Sequence, residues 1–111
     1  MKESISFDQF QSLDIRIGTI VEIADFTKAR KPAYQLTIDF GDLGIKQSSA
    51  QITDLYQKSD LINRQIMALV NIPPRQIADF QSQCLVMGVL GEKGVVLLAP
   101  ESKVPNGSPV S

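Results

Sequence analysis

Two consecutive prolines, Pro73 and Pro74, close an apolar run that extends from Ile66 to Ile72. Each proline fixes φ and removes a backbone donor, so a central strand cannot continue through the pair. The strand must end there and hand over to a shaped loop. That loop, Asn71-Ile72-Pro73-Pro74-Arg75-Gln76-Ile77, is followed at once by Phe80-Gln81-Ser82-Gln83-Cys84-Leu85-Val86-Met87-Gly88. Asn71, Arg75, Ser82 and Gln83 therefore all fall on one short stretch between two strands.

Periodicity organises the rest of the chain. Ser6 followed by Phe7, Phe10 and Leu13 predicts a short helix with Ser6 as its N-cap. Such a helix is too short to be stable alone, so it must pack on its own domain or on a second subunit. From Ile15 the period becomes two, with Ile15, Ile17, Thr19, Val21 and Ile23 on one face and Arg16, Gly18, Ile20 and Glu22 on the other. Gly18 suits the sharp coiling or bulge of a small barrel. Tyr34, Leu36, Ile38 and Phe40 mark a second strand, the turn Gly41-Asp42-Leu43-Gly44 reverses the chain, and Ile45 to Ser49 forms a third. Thr53 to Asn63 fits one or two helical turns capped by Thr53 or Ser59. Strands at Gln65–Ile72, Leu85–Leu90 and Val95–Ala99 complete the reading. This pattern alone predicts a small β-barrel with one helix. Residues 100–111 contain Pro100, Pro105 and Pro109, which predicts an extended tail without regular structure.

Composition excludes most chemistry. The 111 residues fit one compact domain. There is no histidine, so Ser-His-Asp and Cys-His constellations are impossible, and a single cysteine leaves no zinc ligand set. The glycines do not form a phosphate loop, because no Gly-Lys-Ser/Thr end exists. A non-enzymatic protein without metal or cofactor is expected. Cys84 lies where a small core hydrophobe is expected, and one cysteine is compatible with a reducing cytosol. Met1 to Ser6 lacks the apolar core of a secretory signal and no long apolar span follows, so a soluble cytoplasmic protein with no membrane insertion is expected. The formal charge of −1, from 11 basic and 12 acidic residues, advertises no global field for nucleic acid. The distribution qualifies this: Lys28, Arg30 and Lys31 share one loop, and Lys46, Arg64 and Arg75 follow on later elements.

The proline loop with its polar residues resembles the tRNA-binding module built on an OB-fold, which occurs free-standing and appended to aminoacyl-tRNA synthetases. The resemblance extends through Leu13-Asp14-Ile15-Arg16-Ile17-Gly18-Thr19-Ile20, Ala29-Arg30-Lys31-Pro32-Ala33-Tyr34, Gly44 to Ile52, and Val104-Pro105-Asn106-Gly107. In these segments it is most similar to the CsaA-type members, homodimeric export-related chaperones. The resemblance implies an all-β fold: a five-stranded OB-fold Greek-key barrel with a short helix between strands 3 and 4 and short N- and C-terminal extensions. Residues 1–111 would form one such domain, with 1–13 and 100–111 as dimerisation extensions. Phe7, Phe10, Val104 and Pro105 would line the interface of a homodimer.

The family's RNA-contact motif falls on Asn71, Arg75, Ser82 and Gln83. Arg30, Lys31 and Lys46 are candidates to neutralise phosphates alongside Arg75, and Ser48 and Ser49 offer neutral donors and acceptors. Alternatives stand beside these roles: Asn71 caps its own strand, and Ser48 and Ser49 are ordinary edge-strand residues. Only Tyr34 and Phe80 are candidate stacking platforms, which favours recognition of a structured RNA by shape. The chain departs from many tRNA-binding members. Gln83 stands where they have a glutamate, Asp79 where they have a glycine, and Gln76, Ala78 and Gln81 where cations are common. Weak RNA binding is the expectation. The competing expectation is a chaperone that binds unfolded or export-bound polypeptides in a groove of Ile72, Pro73, Pro74, Ile77 and Phe80, with no physiological RNA ligand.

Overall fold

Alternating apolar residues fold the first half of the chain into an antiparallel meander of β1 (Ile15–Asp25), β2 (Tyr34–Asp39) and β3 (Ile45–Ala50). The computed structural model describes all residues, 1–111. Beyond the meander come β4 (Gln65–Leu69), β5 (Arg75–Ile77), β6 (Phe80–Ser82), β7 (Leu85–Val86), β8 (Gly88–Leu90), β9 (Val95–Leu97) and β10 (Pro109–Val110). The main sheet has the order β3-β2-β1-β4-β7 and wraps into a nearly closed, OB-like barrel. Ile20, Leu36, Ile38, Phe40, Leu61 and Ile66 fill it, each fully shielded from solvent. Every such side chain contributes about 1.5–3 kcal/mol through burial.

The strict alternation expected along β1 fails at one residue. Pairing with β2 shifts register between Ile20 and Glu22, which makes Val21 a bulge and puts Ile23, opposite Leu36, on the same inner face as Ile20, opposite Ile38. Gly18 is not the bulge. It is a packing position: a Cβ there would sit 2.6 Å from Ile38 Cγ2 and 2.7 Å from Phe40 Cε1.

Helix α1 (Phe7–Gln11) starts at Ser6, whose Oγ accepts from Gln9 N–H at 3.1 Å while Gln9 Oε1 accepts from Ser6 N–H at 2.7 Å. It buries none of its own residues, and Phe7 is 69 % exposed. Helix α2 (Lys58–Leu61) is shorter than Thr53–Asn63 and is capped by neither Thr53 nor Ser59. The Asp60 carboxylate accepts from Gln57 N–H at its start.

The tail is more ordered than its prolines imply. Pro109 and Val110 pair with Arg16 and Ile15 as β10, on the side of β1 opposite β4. The Gln65 amide clamps the backbone of Val104, donating to its carbonyl at 2.7 Å and accepting from its N–H at 3.1 Å. Arg16 donates to Gly107 C=O at 3.0 Å.

The segment after the prolines is also a hairpin rather than a loop, with Arg75 opposite Ser82 and Ile77 opposite Phe80. Its underside forms a second small core of Phe26, Ala33 and Phe80, with Ala29 and Ile77 packed against it. The Phe26 and Phe80 rings meet edge to face at 5.3 Å. At the hairpin tip Ala78, not Asp79, takes a positive φ of 52°. A Cβ in that conformation is strained. Ala78→Gly should therefore raise stability by roughly 0.5–1 kcal/mol, read as a higher denaturant midpoint at unchanged slope.

Candidate nucleic-acid interface

The β1–β2 loop, the outer face of β3 and the β5–β6 hairpin enclose a cavity of about 300 Å³. Arg30, Lys31 and Arg75 converge there with Ser49, Gln51, Ala29, Ala33 and Ile77, and no acidic residue lines it. The ion pairs of the chain lie elsewhere: Arg16–Asp14 at 2.6 Å, Lys28–Asp79 at 2.7 Å and Lys58–Asp25 at 2.9 Å. Three cations without counter-charges, joined by a hydroxyl and an amide, suit an oligoanion such as a sugar-phosphate backbone.

The pair Lys28–Asp79 ties the β1–β2 loop to the hairpin tip. Its hydrogen bond and charge attraction hold Asp79 below the usual carboxylate range and Lys28 above the usual lysine range. Asp79 thus stands beside the site with its charge compensated, while Lys28 is withdrawn from the free cations.

Of the motif residues, Arg75 alone reaches this cavity. Asn71 is a latch: its Oδ1 accepts from Asp14 N–H at 2.8 Å and its Nδ2 donates to Ser12 C=O at 2.7 Å. It holds the segment after α1 instead of capping its own strand. Ser82 and Gln83 close the barrel. Ser82 Oγ accepts from Ser49 N–H at 3.0 Å, Gln83 Oε1 accepts from Gln47 N–H at 2.9 Å, and Gln83 N–H donates to Gln47 C=O at 2.8 Å. These side chains supply bonds that a continuous strand would have made along the β3 edge.

Four expectations need correction. Ser48 is fully buried and donates to Cys84 C=O at 3.0 Å, so it cannot meet a ligand. Its neighbour across the ladder is core residue Leu36, and alternation sends Ser49 outward instead. Lys46 pairs with Ile38 on that same inner face, and it does not join Arg30, Lys31 and Arg75. Phe80 is 6 % exposed and Tyr34 is 8 % exposed, with the Tyr34 hydroxyl donating to Tyr56 C=O at 2.8 Å. Neither ring face is free for stacking, and Phe80 offers little to an apolar peptide. Ile77, half-buried on the same small core, is similarly withdrawn, whereas Ile72, Pro73 and Pro74 are exposed.

Cys84 is buried as expected, and burial pushes its thiol up to about 11 against the opposing pull of the Lys46 charge and the Ser48 hydroxyl. The folded thiol holds its proton more tightly than an unfolded one. That preference stabilises the fold below pH about 9 and is lost as pH rises through about 11. Cys84→Ala should flatten the alkaline decline in melting temperature, and a bulky thiol reagent should label native Cys84 far more slowly than the denatured chain.

Comparison with known proteins agrees with this architecture. The chaperone CsaA of Bacillus anthracis superposes with a TM-score of 0.92 at 50 % identity, covering 98 % of this chain and 100 % of that one. CsaA of Picrophilus torridus gives the same TM-score and identity over 97 % of this chain and 100 % of its own. Methionine–tRNA ligase of Methanococcoides burtonii is 35 % identical over 108 residues, which is 96 % of this chain but 16 % of the ligase. The chain thus spans about one-seventh of the length of such ligases. Residues 15–109 match the family model described as "Putative tRNA binding domain". With nearly the whole barrel inside that match, this chain belongs to the tRNA-binding domain family, in its CsaA-type form.

Proposed function

We propose that this protein binds folded RNA, with tRNA as the first candidate, and does so as a homodimer rather than as a catalyst. The observation that carries the proposal is the convergence of Arg30, Lys31 and Arg75 in one cavity free of acidic residues. Membership of a tRNA-binding family supports it. Ser49 and Gln51 add neutral bonds to phosphate or ribose, and Asn71, Ser82 and Gln83 act indirectly by fixing the surrounding backbone. The site holds few cations, so affinity is modest and strongly salt-dependent.

The dimer is proposed from its flanks. The apolar side chains of Ile5, Phe7 and Leu13 are exposed around an α1 that buries nothing of its own, and the Phe7 and Phe10 rings lie 6.5 Å apart. Val104 is half-buried and Pro105 exposed on the strap at the opposite end of the chain. Removing residues 1–12 should give a monomer or an aggregate in sedimentation. A stable dimer after that deletion would overturn this interface.

A second reading, polypeptide binding in support of protein export, is favoured by 50 % identity to two chaperones and by exposed Ile72, Leu85, Val89, Leu90 and Val96. A cytoplasmic setting, with the lone thiol reduced, suits either reading. Titration with bulk tRNA and with an unfolded polypeptide at two salt concentrations separates them. Phosphate contacts weaken linearly in log salt, whereas apolar capture hardly changes. Undetectable tRNA binding at about 50 mM salt, with polypeptide still bound, would overturn the RNA reading.

A further inference from the structure

Beside the cationic cavity lies a groove of opposite character. Two adjoining hollows of about 270 and 510 Å³ share Gln35, Gln47 and Phe80, and together form one trough along β2 and β3. Gln81 and Gln83 project into it from the hairpin side, Glu22 from β1 and Asp79 from the hairpin tip, and no lysine or arginine lines it. Asp79 is compensated by Lys28, whereas Glu22 forms no ion pair. Gln83 uses its amide oxygen to close the barrel. The amides of Gln35, Gln47 and Gln81 make no hydrogen bond within the protein, so three complete donor-acceptor pairs face the groove.

The two sites abut. Ser49, which lines the cationic cavity, is the direct cross-strand neighbour of Gln35, which lines the amide groove. Such neighbours have Cβ atoms roughly 5 Å apart on one sheet face. That separation is shorter than one nucleotide. A phosphate held by Arg30, Lys31 and Arg75 therefore leaves its base within reach of the groove, and the groove repels a second phosphate through Glu22.

We infer that this trough is a base-reading subsite for an unstacked nucleobase bearing an exocyclic amino group: adenine, cytosine or guanine in preference to uracil. The inference rests on the RNA reading above and adds its specificity. An amide pairs with a base edge by accepting from an N–H and donating to the adjacent acceptor, which serves every base, whereas a carboxylate only accepts and so favours an edge with an amino group. Uracil presents carbonyl oxygens where the others present amino hydrogens. Facing Glu22, those oxygens meet a second acceptor.

The test uses hairpin RNAs with one common stem and loops of all adenosine, all cytidine or all uridine, so the number of phosphates is constant. The wild-type protein should bind the adenosine or cytidine loop roughly tenfold more tightly than the uridine loop. Glu22→Ala should bring that preference below about twofold by strengthening uridine-loop binding, and Gln35→Ala should weaken the adenosine and cytidine loops with the salt slope unchanged. Both side chains lie outside the barrel core, and circular dichroism should show the fold intact. Equal binding of all three loops by the wild type would overturn the subsite, as would a preference that survives both substitutions. So would loss of unfolded-polypeptide binding in these variants with loop preference retained, which would assign the groove to extended peptide. Failure of every hairpin to bind at about 50 mM salt would instead remove the RNA reading on which the subsite rests.

Discussion

Replacement of Arg30, Lys31 and Arg75 together by alanine should reduce tRNA binding to the detection limit and leave almost no dependence on salt. Three unpaired cations per protomer give about six phosphate contacts in a dimer, so the wild-type slope against log salt should be about −4 to −5. Affinity should then fall roughly a hundredfold to a thousandfold between about 50 and 200 mM salt. Arg75→Ala alone should cost about 1–3 kcal/mol per site and flatten the slope by about one unit for each phosphate no longer neutralised. Lys46→Ala is the internal control. Lys46 carries the same charge on a neighbouring strand but lies outside the cavity, so its removal should leave the slope nearly unchanged. Filter-binding titrations of the four proteins across a salt series decide the matter, and a triple variant with an unaltered slope would move the phosphate path elsewhere.

The contrast between Lys46 and Arg75 shows what one sequence reveals of such a site. Cations at positions 30, 31 and 75 were legible as candidates because they lie on loops around a proline break, where side chains reach solvent. Which of them converge depends on the hairpin folding back over β3, a long-range event that no local pattern records. The strand faces were largely legible, since Tyr34, Leu36 and Ile38 repeat at period two and are all buried. The phase of β1 was not. One bulged residue, Val21, reversed the alternation beyond it, so Ile20 and Ile23, which strict alternation assigns to opposite faces, both point inward. The same alternation, followed along β3 in register with β2, puts both Ser48 and Lys46 on the inward face, opposite Leu36 and Ile38.

Ser82 and Gln83 mark a different limit. Their polarity and their place beside Arg75 suggested ligand contacts, yet their oxygens accept from the β3 backbone. A polar side chain near a site and one that completes a strand edge look identical in sequence. Gln35 and Gln81 mark the reverse case. The sequence marks Gln81 only as a position lacking a cation and gives Gln35 no role, and only the groove between β2 and the hairpin brings them together.

Gly107→Ala should destabilise the protein by about 2–4 kcal/mol, although the residue belongs to a proline-rich strap outside the barrel strands. Two independent penalties coincide there. Gly107 has φ of 88°, which a Cβ disfavours, and that Cβ would stand 2.5 Å from Phe40 C=O. Backbone cannot move aside as a flexible side chain does. Gly41 faces the same crossing at φ 66°, and its Cβ would collide with Asn106 C=O, so the two segments pass with no room on either side. The strap can escape only by lifting. Lifting breaks the Gly107 N–H bond to Ile17 C=O at 2.7 Å, the Ile17 N–H bond to Ser108 C=O at 3.0 Å, and the Thr19 hydroxyl bond to Asn106 Oδ1 at 2.7 Å. Gly41→Ala should have a comparable effect, and the double variant should cost less than the sum, because the first substitution has already raised the strap that the second would strike. Urea denaturation of the two single variants, the double variant and a chain ending at residue 103 measures this directly. Additive single and double values would show that the crossing tolerates each Cβ locally, and the tail would then owe its place to something other than these two glycines.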